Sequence, residues 1–245
     1  MVRAGSDAVP PSARRFMRRA RQRRLRAALP WASVGAVLVL AALVTWVVYG
    51  TSLFGVGELR VTGTALTTPE QVRGAAGVPA GLPLARVDLA EVRDRVGDLP
   101  PVERVTVSRQ WPGTLLVEVV ERTAVAVVPQ GRQFAVVDGA GVVFRTLPQR
   151  PAGLPLARVA SPGRDDAATR SALQVLAALT PQLREQLVEV AVEGPARIVV
   201  KLRGDRTVVW GDSTRSDAKA TVATALLGRD SDTIDVSSPD VVTIR

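Results

Sequence analysis

The longest uncharged stretch of the chain runs from Ala27 to Gly57, and its most apolar part is Trp31 to Tyr49, WASVGAVLVLAALVTWVVY. Nineteen such residues, at a helical rise of about 1.5 Å each, span roughly 28 Å, close to the hydrocarbon thickness of a bilayer. Trp31 marks one end, with Trp46 and Tyr49 near the other, where amphipathic rings favour the headgroup layer. A cleaved signal peptide would have a shorter apolar run ending in small residues. This run ends on Trp46-Val47-Val48-Tyr49, so an uncleaved transmembrane helix over residues 30–50 is expected.

Beyond this segment the pattern alternates between strand and helix periods. Leu59-Arg60-Val61 reads as a short strand. Thr68-Pro69-Glu70-Gln71 is a helix start, with Thr68 and Gln71 forming a capping box and Pro69 at the first position. Gly77 ends that helix. A second helix begins at Asp88, with Leu89, Val92, Val96 and Leu99 on one face; Pro100-Pro101 stops it. Arg104 to Arg109 alternates polar and apolar, Trp111-Pro112-Gly113 is turn chemistry, and Thr114 to Glu121 returns as a strand. The order is β-α-α-β-β.

Residues 123–245 are predicted to be richer in strands. Gln133 to Val137 and Val142 to Arg145 flank Asp138-Gly139-Ala140-Gly141, a hairpin signal. Ala167 to Leu187 carries leucines at spacings of three and four, and Thr180-Pro181 divides it into two helices. Val188 to Val192, Ile198 to Leu202 and Arg206 to Trp210 alternate as strands. Ser213 to Leu227 reads as a helix, and Thr233 to Ile244 as a final extended segment. The fold class expected is α+β: a basic tail (1–29), a transmembrane helix (30–50), a β-α-α-β-β domain (53–122) and a β-rich domain (123–245).

Charge sharpens the topology. The 245 residues carry a net +9. Residues 1–26 hold nine arginines and one acid, so +8 of that lies before the apolar run. The positive-inside rule puts this tail in the cytoplasm and the bulk of the chain outside. The nearly neutral body lacks the clustered cations that phosphate neutralisation needs, which argues against nucleic acid as a partner.

The sequence contains no cysteine and no histidine. The exported part must therefore be held by its core rather than by disulfides. It also lacks the usual general base near pH 7 and the commonest transition-metal ligand. Ser213 and Ser216 near Lys219 could form a Ser–Lys dyad, a covalent hydrolase arrangement that needs no histidine. The plainer expectation is that Ser213 caps a helix while Lys219 is solvated or pairs with the sheet. Asp165-Asp166 and Asp230-x-Asp232 lack the oxygen-rich loop and turn glycine of a calcium site. Gly139-x-Gly141 precedes no helix, so it is not a phosphate loop. Trp111 is expected to pack at the hairpin end. No catalytic residue, cofactor, metal or small-molecule substrate is expected.

The stretch Val105 to Arg122, VTVSRQWPGTLLVEVVER, with Phe54-Gly55-Val56 and Val61-Thr62-Gly63, resembles the POTRA domain of the FtsQ/DivIB family of bacterial cell-division proteins. Val209-Trp210-Gly211, Lys219 and Ile234-Asp235-Val236-Ser237-Ser238-Pro239 resemble the family's second, β-rich domain. The resemblance covers about residues 30–245. It implies a POTRA domain followed by an extended β-domain with a roughly continuous sheet. It also implies a bitopic scaffold of the divisome at the septum, whose extracytoplasmic region binds the FtsB/FtsL pair of small membrane proteins. Two other functions compete. A POTRA component of a secretion or outer-membrane assembly system is disfavoured because no barrel-length series of strands follows. A membrane-anchored hydrolase would use Ser213 and Lys219.

The expected binding surface is the chain's last strand, because a terminal strand commonly lies at a sheet edge with one row of backbone groups unpaired. Val241-Val242-Thr243-Ile244 contains no lysine or proline to block a partner strand, so β-augmentation is open to it. In the family the FtsB contact falls after the motif matched by Ile234-Asp235-Val236. The candidate protein-binding residues are Ile234, Val236, Asp240, Val241, Val242, Thr243 and Ile244.

Overall fold

The structure, a computed structural model, describes residues 33–229, 231–240 and 243–244. Its first helix, α1 (Ser33–Gly50), is long and apolar enough to cross a membrane, and none of its apolar window is buried in the protein. The basic tail and Trp31 lie outside the described residues. The chain divides into two compact units. One comprises Met1–Arg60, described from Ser33, with Gly77–Leu89 and Ser108–Leu116; the other comprises Val61–Ala76, Ala90–Val107 and Val117–Arg245.

The β-α-α-β-β order is present as β1 (Glu58–Thr62), α2 (Pro69–Ala76), α3 (Leu89–Gly97), β2 (Val102–Gln110) and β3 (Thr114–Glu121). The three strands form a sheet in the order β1-β3-β2. The capping box closes as the sequence predicts: Gln71 N donates to Thr68 Oγ1 at 3.2 Å, and Thr68 N donates to Gln71 Oε1 at 2.9 Å. Each helix buries one stripe, Val72 and Ala76 on α2 and Val92 and Val96 on α3. At the C-terminal end of α2, where carbonyls lack helical partners, Arg95 Nη2 donates to Ala76 O at 2.6 Å.

Near α1, a short 3-10 turn at Ser52–Phe54 leads to an isolated bridge between Gly55 and Pro83, and a second 3-10 turn spans Leu84–Arg86. The sequence pattern did not predict this second turn. Val56, Leu84, Val87 and Leu115 are buried here. Arg109 ties the same unit together, donating from Nε to Leu84 O and from Nη2 to Val87 O.

The β-rich region is one continuous sheet. Its strands are β4 (Ala126–Gln130), β5 (Gln133–Val137), β6 (Val143–Leu147), β7 (Leu156–Arg158), β8 (Leu187–Gly194), β9 (Arg197–Leu202), β10 (Thr207–Gly211), β11 (Thr233–Asp235) and β12 (Thr243–Ile244). The order is β12-β11-β10-β9-β8-β7-β4-β5-β6. Three pairings are parallel, β4 with β7, β7 with β8 and β10 with β11. Such pairings need a crossover connection. Helices α4 (Ala167–Ala178) and α5 (Pro181–Gln186) lie between β7 and β8, and α6 (Ser216–Leu226) between β10 and β11.

These helices supply Leu173, Val175, Leu176, Leu183, Ala220 and Ala223 to a core shared with Val190, Ile198, Val200, Val208, Trp210 and Ile234. The alternate positions Val127, Val136, Phe144 and Leu156 form a second, smaller cluster. Thr180 caps α5 as expected, with Pro181 in its first turn.

Two predicted elements differ in the structure. The helix expected from Ser213 starts at Ser216, because the chain takes a left-handed step at Arg215 (φ +52°). Ser213 does not cap it; its carbonyl accepts from Ser216 Oγ at 2.9 Å. The single extended segment expected from Thr233 to Ile244 is a hairpin, with β11 and β12 antiparallel and Ile234 opposite Ile244.

Candidate protein-binding edge

The end of the large sheet is built outward from β10. β11 lies parallel to it, with Val208 opposite Ile234, and Val236 N donates to Val209 O at 3.0 Å. The chain then reverses, and β12 lays Thr243 opposite Asp235. β12 is the last strand in the order, with β11 as its neighbour.

Local chemistry explains why the chain turns where it does. Gly211 (φ +77°) sits against Ser237: a Cβ there would stand 2.9 Å from Ser237 Cβ and 3.1 Å from its Cα. Only glycine permits both the positive φ and this approach, which accounts for the glycine of Trp210-Gly211. Ser237 N donates to Asp235 Oδ1 at 2.9 Å and starts the reversal. Arg215 then reaches Asp240 with both guanidinium nitrogens, Nη1 to Oδ2 at 2.8 Å and Nη2 to Oδ1 at 3.0 Å. The hydrogen bond from Arg215 holds the Asp240 carboxyl below the usual range. The pair is exposed, so it orients the turn and contributes little stability.

Beneath this edge the loop after β10 is pinned from inside. Trp210 is fully buried and its Nε1 donates to Ser216 Oγ at 3.1 Å. Lys219, expected to be solvated or paired with the sheet, is 1% exposed. Its Nζ donates to Asp212 Oδ1 at 2.7 Å and Asp212 O at 3.0 Å. The ammonium therefore faces a carboxylate and a carbonyl, while Ser216 Oγ is engaged with Trp210 and Ser213. These contacts assemble a loop anchor, in which Lys219 Nζ is committed to Asp212. Asp166 likewise proves to be a helix cap, accepting from Thr169 N at 2.6 Å. Among the described residues no group of three or more carboxylates could hold a metal ion.

The predicted site residues thus separate. Ile234 and Val236 are 1% and 0% exposed. Their side chains are part of the core that the helices share with the sheet. Asp240 and Thr243 are exposed, and Ile244 is paired in register with Ile234. Val241 and Val242 lie outside the described residues. Sequence reasoning missed Asp212 and Arg215, whose roles depend on partners elsewhere in the chain, and named Gly211 only as part of the Val209-Trp210-Gly211 motif. The glycine that follows Trp210 was the one available signal.

In the other half of the chain, the Glu121-Arg122 pair has a concrete role. The Glu121 carboxylate accepts from the amides of Ala65, Leu66 and Thr67 at 2.9, 2.7 and 2.7 Å, and from the Thr67 hydroxyl. Partial burial opposes its ionisation, but these hydrogen bonds prevail and hold the carboxyl below the usual range. Arg122 Nη1 donates to Asp138 Oδ2 at 2.6 Å, and its Nε donates to Pro100 O at 3.3 Å. Asp138 also accepts from the amides of Ala140 and Val142.

Residues 54–122 match the family model described as POTRA domain, FtsQ-type, and residues 126–240 match Cell division protein FtsQ/DivIB, C-terminal. Similar proteins are each described as Cell division protein FtsQ. One from Streptomyces bingchenggensis is 42% identical over 214 residues, covering 83% of this chain and 81% of the relative. One from Mycobacteroides abscessus is 37% identical over 213 residues, covering 85% and 68%. One from Streptomyces coelicolor is 37% identical over 239 residues, covering 92% and 88%. A solved extracytoplasmic domain of DivIB from Geobacillus stearothermophilus overlays 43% of this chain and 91% of its own, with 17% identity and a TM-score of 0.34, too slight a likeness to carry an argument.

Proposed function

Because the chain belongs to the FtsQ/DivIB family of cell-division proteins, and so is a component of the division machinery, we propose that it is a non-catalytic scaffold whose extracytoplasmic region binds the FtsB/FtsL pair through the β12 edge. Residues 1–29 form a cytoplasmic tail, residues 30–50 a single membrane span, residues 53–122 a POTRA domain and residues 123–245 a β-domain. The span anchors the protein at the septal membrane, and the charge asymmetry around it sets the orientation.

The observation that carries this reading is the position of β12 at the end of the strand order. A strand in that position offers backbone donors and acceptors to an incoming strand, which is how β-augmentation acquires affinity. Thr243 is exposed there. Asp240, tied to Arg215, fixes the turn that delivers it. The chemistry of the Trp210, Ser216, Lys219 and Asp212 cluster fits a support for this edge, since Trp210, Ser216 and Lys219 each donate to an acceptor in the cluster or in the loop beside it.

The test is a photo-crosslinking amino acid placed at Thr243 in the full chain, in cells that express the FtsB/FtsL pair. An adduct with the pair at Thr243, and none from the same probe at Arg132, is expected. If the pair still co-purifies but Thr243 gives no adduct, the edge assignment is wrong.

A further inference from the structure

α1 ends at Gly50, and the chain leaves it without slack. Thr51 Oγ1 donates back to Val47 O at 2.6 Å, and the 3-10 turn Ser52–Phe54 follows at once. Two residues of this exit are apolar. Leu53 is 73% exposed, and the Phe54 ring stands edge-on to Trp111 with centroids 6.0 Å apart. Trp111 is the tip of the β2–β3 turn and is itself 53% exposed. It packs at the hairpin end, as the sequence predicts, and half its surface remains open.

The backbone makes this arrangement obligatory. Gly57 N and Glu58 N both donate to Gly113 O, at 2.9 and 3.2 Å. A Cβ on Gly55 would meet Gly81 O at 2.7 Å, and one on Gly113 would meet Gly55 O at 2.9 Å. Phe54-Gly55 and Trp111-Pro112-Gly113, far apart in sequence, are therefore clasped by two close-approach glycines, Gly55 and Gly113. The tip cannot leave the exit of α1 without breaking these contacts.

If α1 spans the bilayer, Leu53 lies three residues beyond the helix end. A bilayer of about 30 Å hydrocarbon and roughly 40–45 Å overall leaves a headgroup layer of about 5–8 Å on each side. Leu53, Phe54 and the ring in contact with Phe54 fall within that layer. Tryptophan, with an apolar body and one N–H donor, is suited to it. We propose that Leu53, Phe54 and Trp111 form a docking surface for the phospholipid headgroup layer, so that the β2–β3 tip is seated in the membrane interface. This rests on the reading of α1 as a membrane span.

The absence of cysteine makes a spin-label test direct. The full chain is reconstituted in phosphatidylethanolamine–phosphatidylglycerol vesicles with a nitroxide on Gln110→Cys, which leaves Trp111 in place. Its collisional access to a water-soluble nickel chelate is compared with that of a label on Arg132→Cys. The expected result is access reduced several-fold at Gln110, at a headgroup depth. Adding Leu53→Ser and Trp111→Ser should raise it to the Arg132 level with far-ultraviolet circular dichroism unchanged. A label on Leu40→Cys reports the span. If Leu40 is in hydrocarbon while Gln110 is as open to nickel as Arg132, the docking surface is overturned and the span stands. If Leu40 itself is in water, the span is overturned and the docking surface with it.

Discussion

Lys219, the second of only two lysines in the chain, is held inside the protein by Asp212: Nζ lies 2.7 Å from Oδ1 and 3.0 Å from the main-chain oxygen of the same residue. The acid is only partly covered, with 46% of its side chain exposed against 2% for the lysine. The pair is thus asymmetric. Removing the acid strands a buried ammonium on one carbonyl, whereas removing the lysine leaves a carboxylate that water can reach.

Asp212→Ala is therefore expected to cost about 1–3 kcal/mol of stability, and Lys219→Met, which fills the same space without a charge, distinctly less. Thermal unfolding of the full chain in detergent measures both. Equal losses would mean that the pair acts through packing alone.

Acid should destabilise the protein, and mild pH changes should not. Hydrogen bonds from Arg158, and then from Lys201 despite partial burial, hold the Glu189 carboxyl below its usual range. Asp212 is lowered first by Lys219 and then by Thr214, and Glu121 by Thr67 and the loop amides against a burial cost. For a depressed carboxyl, the stabilisation is fully present above the unfolded value of about 4 and is lost as pH falls through the folded value. With no histidine in the chain, no side chain of ordinary pKa titrates between pH 6 and 8. The midpoint of thermal unfolding should be flat over that range and fall below about pH 4.5. A step near pH 6.5 would contradict this assignment of the charges.

The glycine clasp predicts a sharp positional contrast. Gly55→Ala and Gly113→Ala push a Cβ within 2.7–2.9 Å of backbone oxygen, and each should cost about 2 kcal/mol or more. Gly139→Ala meets only a Val125 methyl at 3.9 Å and should be close to neutral. Unfolding midpoints of the three variants decide the matter.

Local rules carried much of the fold. Thr68 and Gln71 announce their own helix because both partners lie within four residues of sequence. The same holds for Thr180-Pro181 and for the alternation of β8 and β9. β7 was not legible: Leu156-Ala157-Arg158 is too short to show a period, and it exists because β4 and β8 flank it on either side. Burial of Lys219 was hidden for a related reason, since its acceptor comes from the turn after β10 and no spacing rule connects the two. The terminal hairpin was read as one strand because Ser237 to Asp240 breaks it through contacts to Asp235 and Arg215. Ile234 and Val236, named as binding residues from the motif they belong to, are buried in the core, and the motif alone could not show which face of the sheet would be covered.

The β12 edge is tested most directly by the affinity of the FtsB/FtsL pair for the full chain, measured beside a chain truncated after Ser238 and beside Val242→Pro and Thr243→Pro. Two backbone hydrogen bonds lost to a partner strand weaken binding by roughly 1–3 kcal/mol. Truncation, and whichever proline removes the outward amide, should each reduce affinity at least about tenfold, equivalent to about 1.4 kcal/mol. Thermal unfolding of the full chain in detergent should change little. If the truncated, folded chain binds the pair as tightly as the full chain, the partner does not use this edge.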